Sequence, residues 1–223
     1  MQISSQTINI LKNFALINPS IAFEPGNMLQ TVAPSKALMG KANIKETLPT
    51  SGAIYDLSRF LGVVSLFEQP EFEFTQTQVV IKGKSNSVNY TFADSSMILT
   101  PPKDKQITID SPDVDIDIPG SKIQAVLKAS AVLGLPEVSL MCDGSQVYLQ
   151  ALDSKNPSAD DYKEEIMDWT MDNTFNFVFK TENFKFLPYD YNIKVSEKGI
   201  AQFTANDSLV YWVAVEANSK YES

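Results

Sequence analysis

From Ser5 to Ile17, the residues Ile8, Leu11 and Ala15 recur three and four apart, and Ile10, Phe14 and Ile17 widen the apolar face. That spacing predicts an amphipathic helix. Asn18-Pro19 ends it, because the residue before a proline is pushed out of the helical region. The pattern then shortens. Residues 20–24 and 28–32 read as strands around a turn at Pro25-Gly26-Asn27, and residues 41–46 and 53–55 as two more. A second helix is expected over residues 57–67, with Leu57, Phe60, Leu61, Val64 and Phe67 on one side and Asp56 placed to cap it. Three short strands, residues 72–75, 79–82 and 88–92, follow.

Residues 101–112 change character. Pro101, Pro102 and Pro112 stand there among Lys, Asp and Ser, which reads as a connector between domains at 1–100 and 113–223. Beyond it Val114, Ile116 and Ile118 alternate with Asp113, Asp115 and Asp117, the period of a half-buried strand. Residues 121–133 return to helical spacing, with Ile123, Val126, Leu127 and Leu133 expected inward and Gly134 and Pro136 as the stop. Strands are expected at residues 138–141, 147–152, 164–169 and 174–180, with a turn at Asp143-Gly144. Each half therefore offers a helix, a hairpin, two more strands, a crossover and closing strands. The crossover is residues 57–67 in the first half and the shorter 182–187 in the second. The opening helices start about 115 residues apart. A duplication at half the chain length points to two similar α+β domains and not to a solenoid.

Composition narrows the function more than the fold. Of 223 residues, 43% are hydrophobic and 20% charged, as in ordinary globular chains. There is no histidine, which removes Ser-His-Asp and Cys-His nucleophile pairs and the H-E-x-x-H zinc site. Neither catalysis nor a cofactor is expected. The single cysteine, Cys142, cannot form a disulfide within the chain, so a reducing cytosol is the natural compartment. In its apolar run VSLMC it reads as a small core residue, not a reactive thiol. The opening segment breaks its apolar run with Asn9, Lys12 and Asn13, unlike a signal peptide. No run of about 18 apolar residues predicts a membrane span. Gly83-Lys84-Ser85 lacks the earlier glycine of a phosphate loop, Gln78 standing in its place, and reads as a hairpin turn. Asp113, Asp115 and Asp117 begin like a calcium loop, but Ile118 and Gln124 occupy its glycine and glutamate positions, so the solvent face of a strand is the better reading. Asp160-Asp161 and Glu164-Glu165 read as a solvated acidic patch.

Acid is missing where a helix would welcome it. The chain has 27 acidic and 18 basic residues, a net charge of −9. Yet the three predicted helices contain no Asp or Glu, while they hold Lys12, Arg59, Lys122 and Lys128. Glutamate is a good helix former. Its exclusion points to helices that face a polyanion; the competing explanation is that broad apolar faces leave few polar positions to fill. An acidic exterior would keep DNA off the outside while a basic lining admits it, and weak phosphate contacts permit sliding. No recognition helix and no aromatic-rich single-strand motif is present, so sequence readout is not expected.

Four blocks carry a resemblance: LKNFALINPSI (residues 11–21), AIYDLSRFLGVVSLF (53–67), NTFNFVF (173–179) and YWVAVEANS (211–219). They resemble the DNA polymerase sliding clamp, or processivity factor, of T-even-like bacteriophages. The resemblance spans both halves and is weak from residue 69 to residue 120. It implies a homotrimeric ring with two clamp domains per subunit, helices lining the interior and antiparallel sheets outside, encircling duplex DNA without sequence preference. It also implies partners: the phage DNA polymerase, an ATP-driven clamp loader and late-transcription factors, all acting in the host cytoplasm on phage DNA. Lys12 falls in a well-matched block, and Lys128 at a basic position of the family helix, where the family tends to place arginines. Arg59 replaces an uncharged residue type, so its DNA-facing role rests on composition. Clamp partners bring a short peptide with apolar anchors to a groove near the connector. Ile107 and Ile109, the apolar residues there, are expected to border it. The rival reading is a phage structural protein of capsid or tail, also acidic, strand-rich and oligomeric; the acid-free helices and the duplication favour the clamp.

Overall fold

A computed structural model describes residues 1–102 and 107–222. The expected connector at 101–112 therefore lies partly outside the described residues. The first helix, α1 (Ser5–Ile17), has the bounds its periodicity predicts. The Ser4 hydroxyl accepts the Thr7 N–H at 3.3 Å and starts it. Ile10, Leu11, Phe14 and Ile17 form its buried face. At its end Asn18 returns its N–H to Phe14 and its side-chain amide to the Val32 carbonyl, 3.0 Å away.

Four strands follow: β1 (Ile21–Phe23), β2 (Gly26–Val32), β3 (Leu38–Leu48) and β4 (Gly52–Ile54). Then come α2 (Leu57–Val64) and three short strands, β5 (Glu71–Phe74), β6 (Gln78–Lys82) and β7 (Ser87–Thr91). All pairings here are antiparallel: β1 with β4, β2 with β3, and β5-β6-β7 in that order. Helix α1 packs on β2, β3 and α2. A Cβ at Gly40 would stand 2.9 Å from the Phe14 ring, so only glycine lets β3 run this close beneath the helix. Two expectations are corrected. Gly26, at φ +127°, opens β2 instead of lying in a turn, and the register against β3 shifts between Gly26 and Met28 as a bulge. Helix α2 stops at Val64 rather than residue 67. Leu66 and Phe67 donate to Val63 and Val64 at 3.1 and 3.2 Å, a tighter winding that buries Phe67 and leaves Leu66 exposed.

The remaining elements are β8 (Val114–Ile118), α3 (Gly120–Leu133), β9 (Glu137–Cys142), β10 (Gln146–Leu152), β11 (Tyr162–Asp168) and β12 (Thr174–Lys180). After a single 3-10 turn, Thr181–Asn183, come β13 (Tyr191–Ser196), β14 (Ile200–Ala205), β15 (Leu209–Ala214) and β16 (Lys220–Glu222). By contacts the chain divides into two units, Met1–Gln106 with Ser208–Val210 and Ile107–Asp207 with Tyr211–Ser223. In the second unit one sheet has the order β11-β10-β9-β12-β16 and another contains β15-β14-β13-β8. Helix α3 lies across β9, β10 and β11. An aromatic cluster of Phe179, Phe184, Phe186, Tyr191, Phe203 and Tyr211 fills the core, with ring centroids as close as 4.7 Å between Phe186 and Tyr211. Each half runs helix, four strands and a helical crossover; three strands (β5–β7) then close the first half, and four (β13–β16) close the second, which also has β8 before its helix.

Gly83 donates to the Asn86 carbonyl and closes the β6–β7 hairpin, as a turn would. Cys142 is buried, and burial pushes its thiol pKa up. Asp115 and Asp117 are exposed along β8, both accepting from the Asn192 amide at 2.8 and 3.0 Å. No metal-holding cluster of acidic or cysteine residues occurs among the described residues. Leu133, expected inward, is 41% exposed. Gly134, at φ +68°, reverses the chain so that Leu135 enters the core in its place, its N–H returning to Ser130 at 2.9 Å.

Candidate nucleic-acid interface

Each long helix buries one face and shows the other to solvent. On α1 the exposed line is Ser5, Asn9, Lys12 and Leu16, spaced four, three and four. On α3 it is Ser121, Gln124, Lys128 and Ala131. On α2, Ser58, Arg59 and Gly62 are exposed. No acid interrupts any of these lines, and each carries one cation: Lys12, Arg59 or Lys128. Among the described residues none of the three has an ion-pair partner. The expected basic residues therefore sit on exposed helix faces in three cases.

The fourth is different. Lys122 lies on the flank of α3 and is 41% exposed, with its ammonium 2.6 Å from the Glu164 carboxylate on β11. Glu164 also accepts a short hydrogen bond from the Tyr162 hydroxyl, two residues along the same face. The Lys122 bond and then the Tyr162 bond hold the Glu164 carboxyl below the usual range. Glu164 is thus not part of a solvated patch, as the sequence suggested: its side chain is only 18% exposed. Asp160, Asp161 and Glu165 do face solvent. The signal was available, since period-two alternation in β11 puts Tyr162, Glu164 and Ile166 on one face and Lys163 and Glu165 on the other. Glu164 pairs with the buried Leu149, which places that face under α3.

The acids missing from the helices stand at their starts instead. Glu46 of β3 reaches the opening turn of α1, accepting from the Ser4 N–H and, at 2.6 Å, from the Thr7 hydroxyl. Asp56 accepts from Arg59 N at 2.8 Å and caps α2, as the sequence predicts. Pro119 precedes α3 and offers no cap, so Asp190 accepts the Gly120 N–H at 2.8 Å from 70 residues away. A Cβ at Gly120 would stand 2.2 Å from the Tyr189 carbonyl oxygen, so this approach requires glycine. Carboxylates at helix N-termini complement the macrodipole and satisfy orphan N–H groups. They do so while leaving the exposed faces free of negative charge.

Ile107 and Ile109 are half-buried and lie in no regular element. Lys103, Asp104, Lys105 and Gln106 fall outside the described residues. No described helix is long and apolar enough to cross a membrane.

Two α+β units of repeated element order, with basic acid-free helix faces on an acidic chain, are the architecture of a DNA clamp. The fold comparison agrees. The Helicobacter pylori beta clamp bound to a DNA ligase peptide superposes with a TM-score of 0.73 at 12% identity, covering 97% of this chain and 65% of that one. This chain thus spans about two-thirds of that protein's length. Archaeoglobus fulgidus PCNA, solved with the C-terminal region of FEN-1, gives a TM-score of 0.71 at 12% identity over 98% of both chains.

Sequence comparison assigns the family. The profile described as DNA polymerase processivity factor matches residues 4–100, and that described as gp45 sliding clamp, C terminal, matches residues 115–217. The sliding clamp of Vibrio phage KVP40 is 28% identical over 221 residues, 97% of this chain and 100% of that one. The sliding clamp of Enterobacteria phage T4 is 27% identical over 231 residues, covering both chains fully. The chain belongs to the phage sliding-clamp family of DNA polymerase processivity factors. It is a processivity factor and not an enzyme.

Proposed function

We propose that three copies of this chain close into a ring around duplex DNA, with Lys12, Arg59 and Lys128 facing the phosphates. The observation that carries this reading is the exclusion of acid from the exposed faces of all three long helices in a chain of net charge −9. Attraction to phosphates through scattered cations is sequence-blind, so the ring slides. Its mechanism is topological: a closed ring cannot leave DNA sideways, and a tethered phage polymerase meets primer ends at high effective concentration. In this proposal residues 1–100 and 113–223 are two clamp domains joined by 101–112. A clamp loader opens the ring, and late-transcription factors share it on phage DNA in the host cytoplasm. Partner peptides dock beside Ile107 and Ile109, the half-buried apolar pair of an otherwise polar connector.

The test is retention on DNA. Loaded protein is expected to stay on circular duplex and run off linear duplex. Lys12→Glu with Lys128→Glu is expected to abolish processive synthesis while leaving assembly unchanged, because exposed substitutions ordinarily move stability by only about 0.5 kcal/mol. Normal processivity in that double variant would reject the phosphate-facing role of these helices.

A further inference from the structure

Lys122 differs from the other helix cations in what it touches. It rises from the first turn of α3, and its ammonium meets the Glu164 carboxylate at 2.6 Å. The second oxygen of that carboxylate is taken by the Tyr162 hydroxyl. Tyr162 and Glu164 share the face of β11 over which α3 packs, so the acceptor is held by a strand and not by a mobile loop. The Glu164 side chain is 18% exposed and that of Lys122 41%. A cation so arranged has a fixed anionic partner within the chain and enough exposure to leave it.

We propose that Glu164 is a positioning residue that occupies Lys122 in place of a DNA phosphate and so softens the grip of α3 on the duplex. The inference rests on the proposed DNA-facing role of the helices. A carboxylate and a phosphate oxygen compete for the same ammonium through charge-assisted hydrogen bonds of similar geometry. Tyr162 favours the carboxylate side of that competition by orienting Glu164 and by stabilising its charge. Lys128, about 1.7 turns further along α3, has no such partner among the described residues and stays available. One helix thus carries one committed and one uncommitted cation. A clamp that must slide gains from this, since every permanent phosphate contact adds friction.

The experiment is a salt titration of affinity for a fluorescent 30-base-pair duplex. It compares the parent chain, Glu164→Gln, Lys122→Gln and the two together, with Glu165→Gln as a control. Glu165 lies on the opposite face of β11 and removes the same charge without releasing Lys122. Each new phosphate contact steepens the slope of log affinity against log salt by about 0.9. The advantage of Glu164→Gln over the parent should therefore shrink by about 3.5-fold per contact between 0.05 and 0.2 M salt. Glu165→Gln should leave that slope unchanged, and Lys122→Gln should erase the effect of Glu164→Gln. A purely structural ion pair would change the melting temperature of Glu164→Gln but not its salt slope relative to Glu165→Gln, and that result overturns the proposal. Lys12→Glu with Lys128→Glu is the separate arm. If it weakens duplex binding while Glu164→Gln behaves as Glu165→Gln, only the positioning role falls. If it leaves binding unchanged, the DNA-facing reading falls and the positioning role with it.

Discussion

Single side chains decide how these helices begin, and one of them gives the protein an acid-sensitive point. Burial acts to raise the Glu46 carboxyl, but hydrogen bonds from the Thr7 hydroxyl and the Ser4 N–H outweigh it and hold the pKa below the ordinary 4.5. A folded pKa that is depressed contributes stability fully present above the unfolded value. That contribution is lost as pH falls through the folded value. Glu46→Gln is expected to lower stability by about 1 kcal/mol at neutral pH, the scale of one hydrogen bond to a charged group after partial replacement by the amide. In urea titrations its difference from the parent should close as the pH drops through the Glu46 range; a difference constant with pH would show that the charge is irrelevant. Legibility at this scale depends on sequence distance. Asp56 adjoins the helix it caps, so its role is readable. Glu46 lies 39 residues from Thr7 and Asp190 lies 70 from Gly120, and no local pattern announces either.

Elements were more legible than side chains. Helix α1 has the bounds its periodicity predicts, and β12 (Thr174–Lys180) likewise, because each is one uninterrupted amphipathic or apolar run with a clear stop. The errors fall at ends, where the chain chooses between continuing and turning. Leu133 satisfied the helical period of α3, yet the left-handed Gly134 gives its place to Leu135. Helix α2 contains a testable irregularity. Gly62 is exposed and helical, and a Cβ there would meet nothing within 4 Å. Gly62→Ala is expected to stabilise the chain by about 0.5–1 kcal/mol, through helix propensity and a smaller unfolded-state entropy. The measurement is the shift in urea midpoint at unchanged slope. Loss of stability instead would mean that α2 holds a strained backbone at this point.

For the whole molecule the governing quantity is charge. Three copies of a −9 chain carry −27, so the proposed ring closes against net repulsion. A joint of paired edge strands would also remove exposed strand edges from solvent. Repulsion between exposed charges is screened beyond about 10 Å at 0.1 M salt. Assembly is therefore expected to strengthen from low to moderate salt, while DNA association weakens over the same range as phosphate contacts are lost. Sedimentation at fixed protein concentration across a salt series checks the first trend. A steady fall in assembly with added salt would show that local ion pairs and not net charge govern the joint.

The sequence by itself determined the repeated element order, the acid-free helices, the absence of histidine chemistry and the family. Each of these is a property of composition or of periods no longer than a few residues, which local backbone geometry converts directly into faces. Only the tertiary structure decided what each cation touches. Lys12, Lys122 and Lys128 look alike along the chain. Folding brings β11 beneath α3, and Glu164 takes up Lys122 while the other two remain exposed. Charge acts through distance in space, and a pair separated by 42 residues becomes neighbours only when the sheet forms.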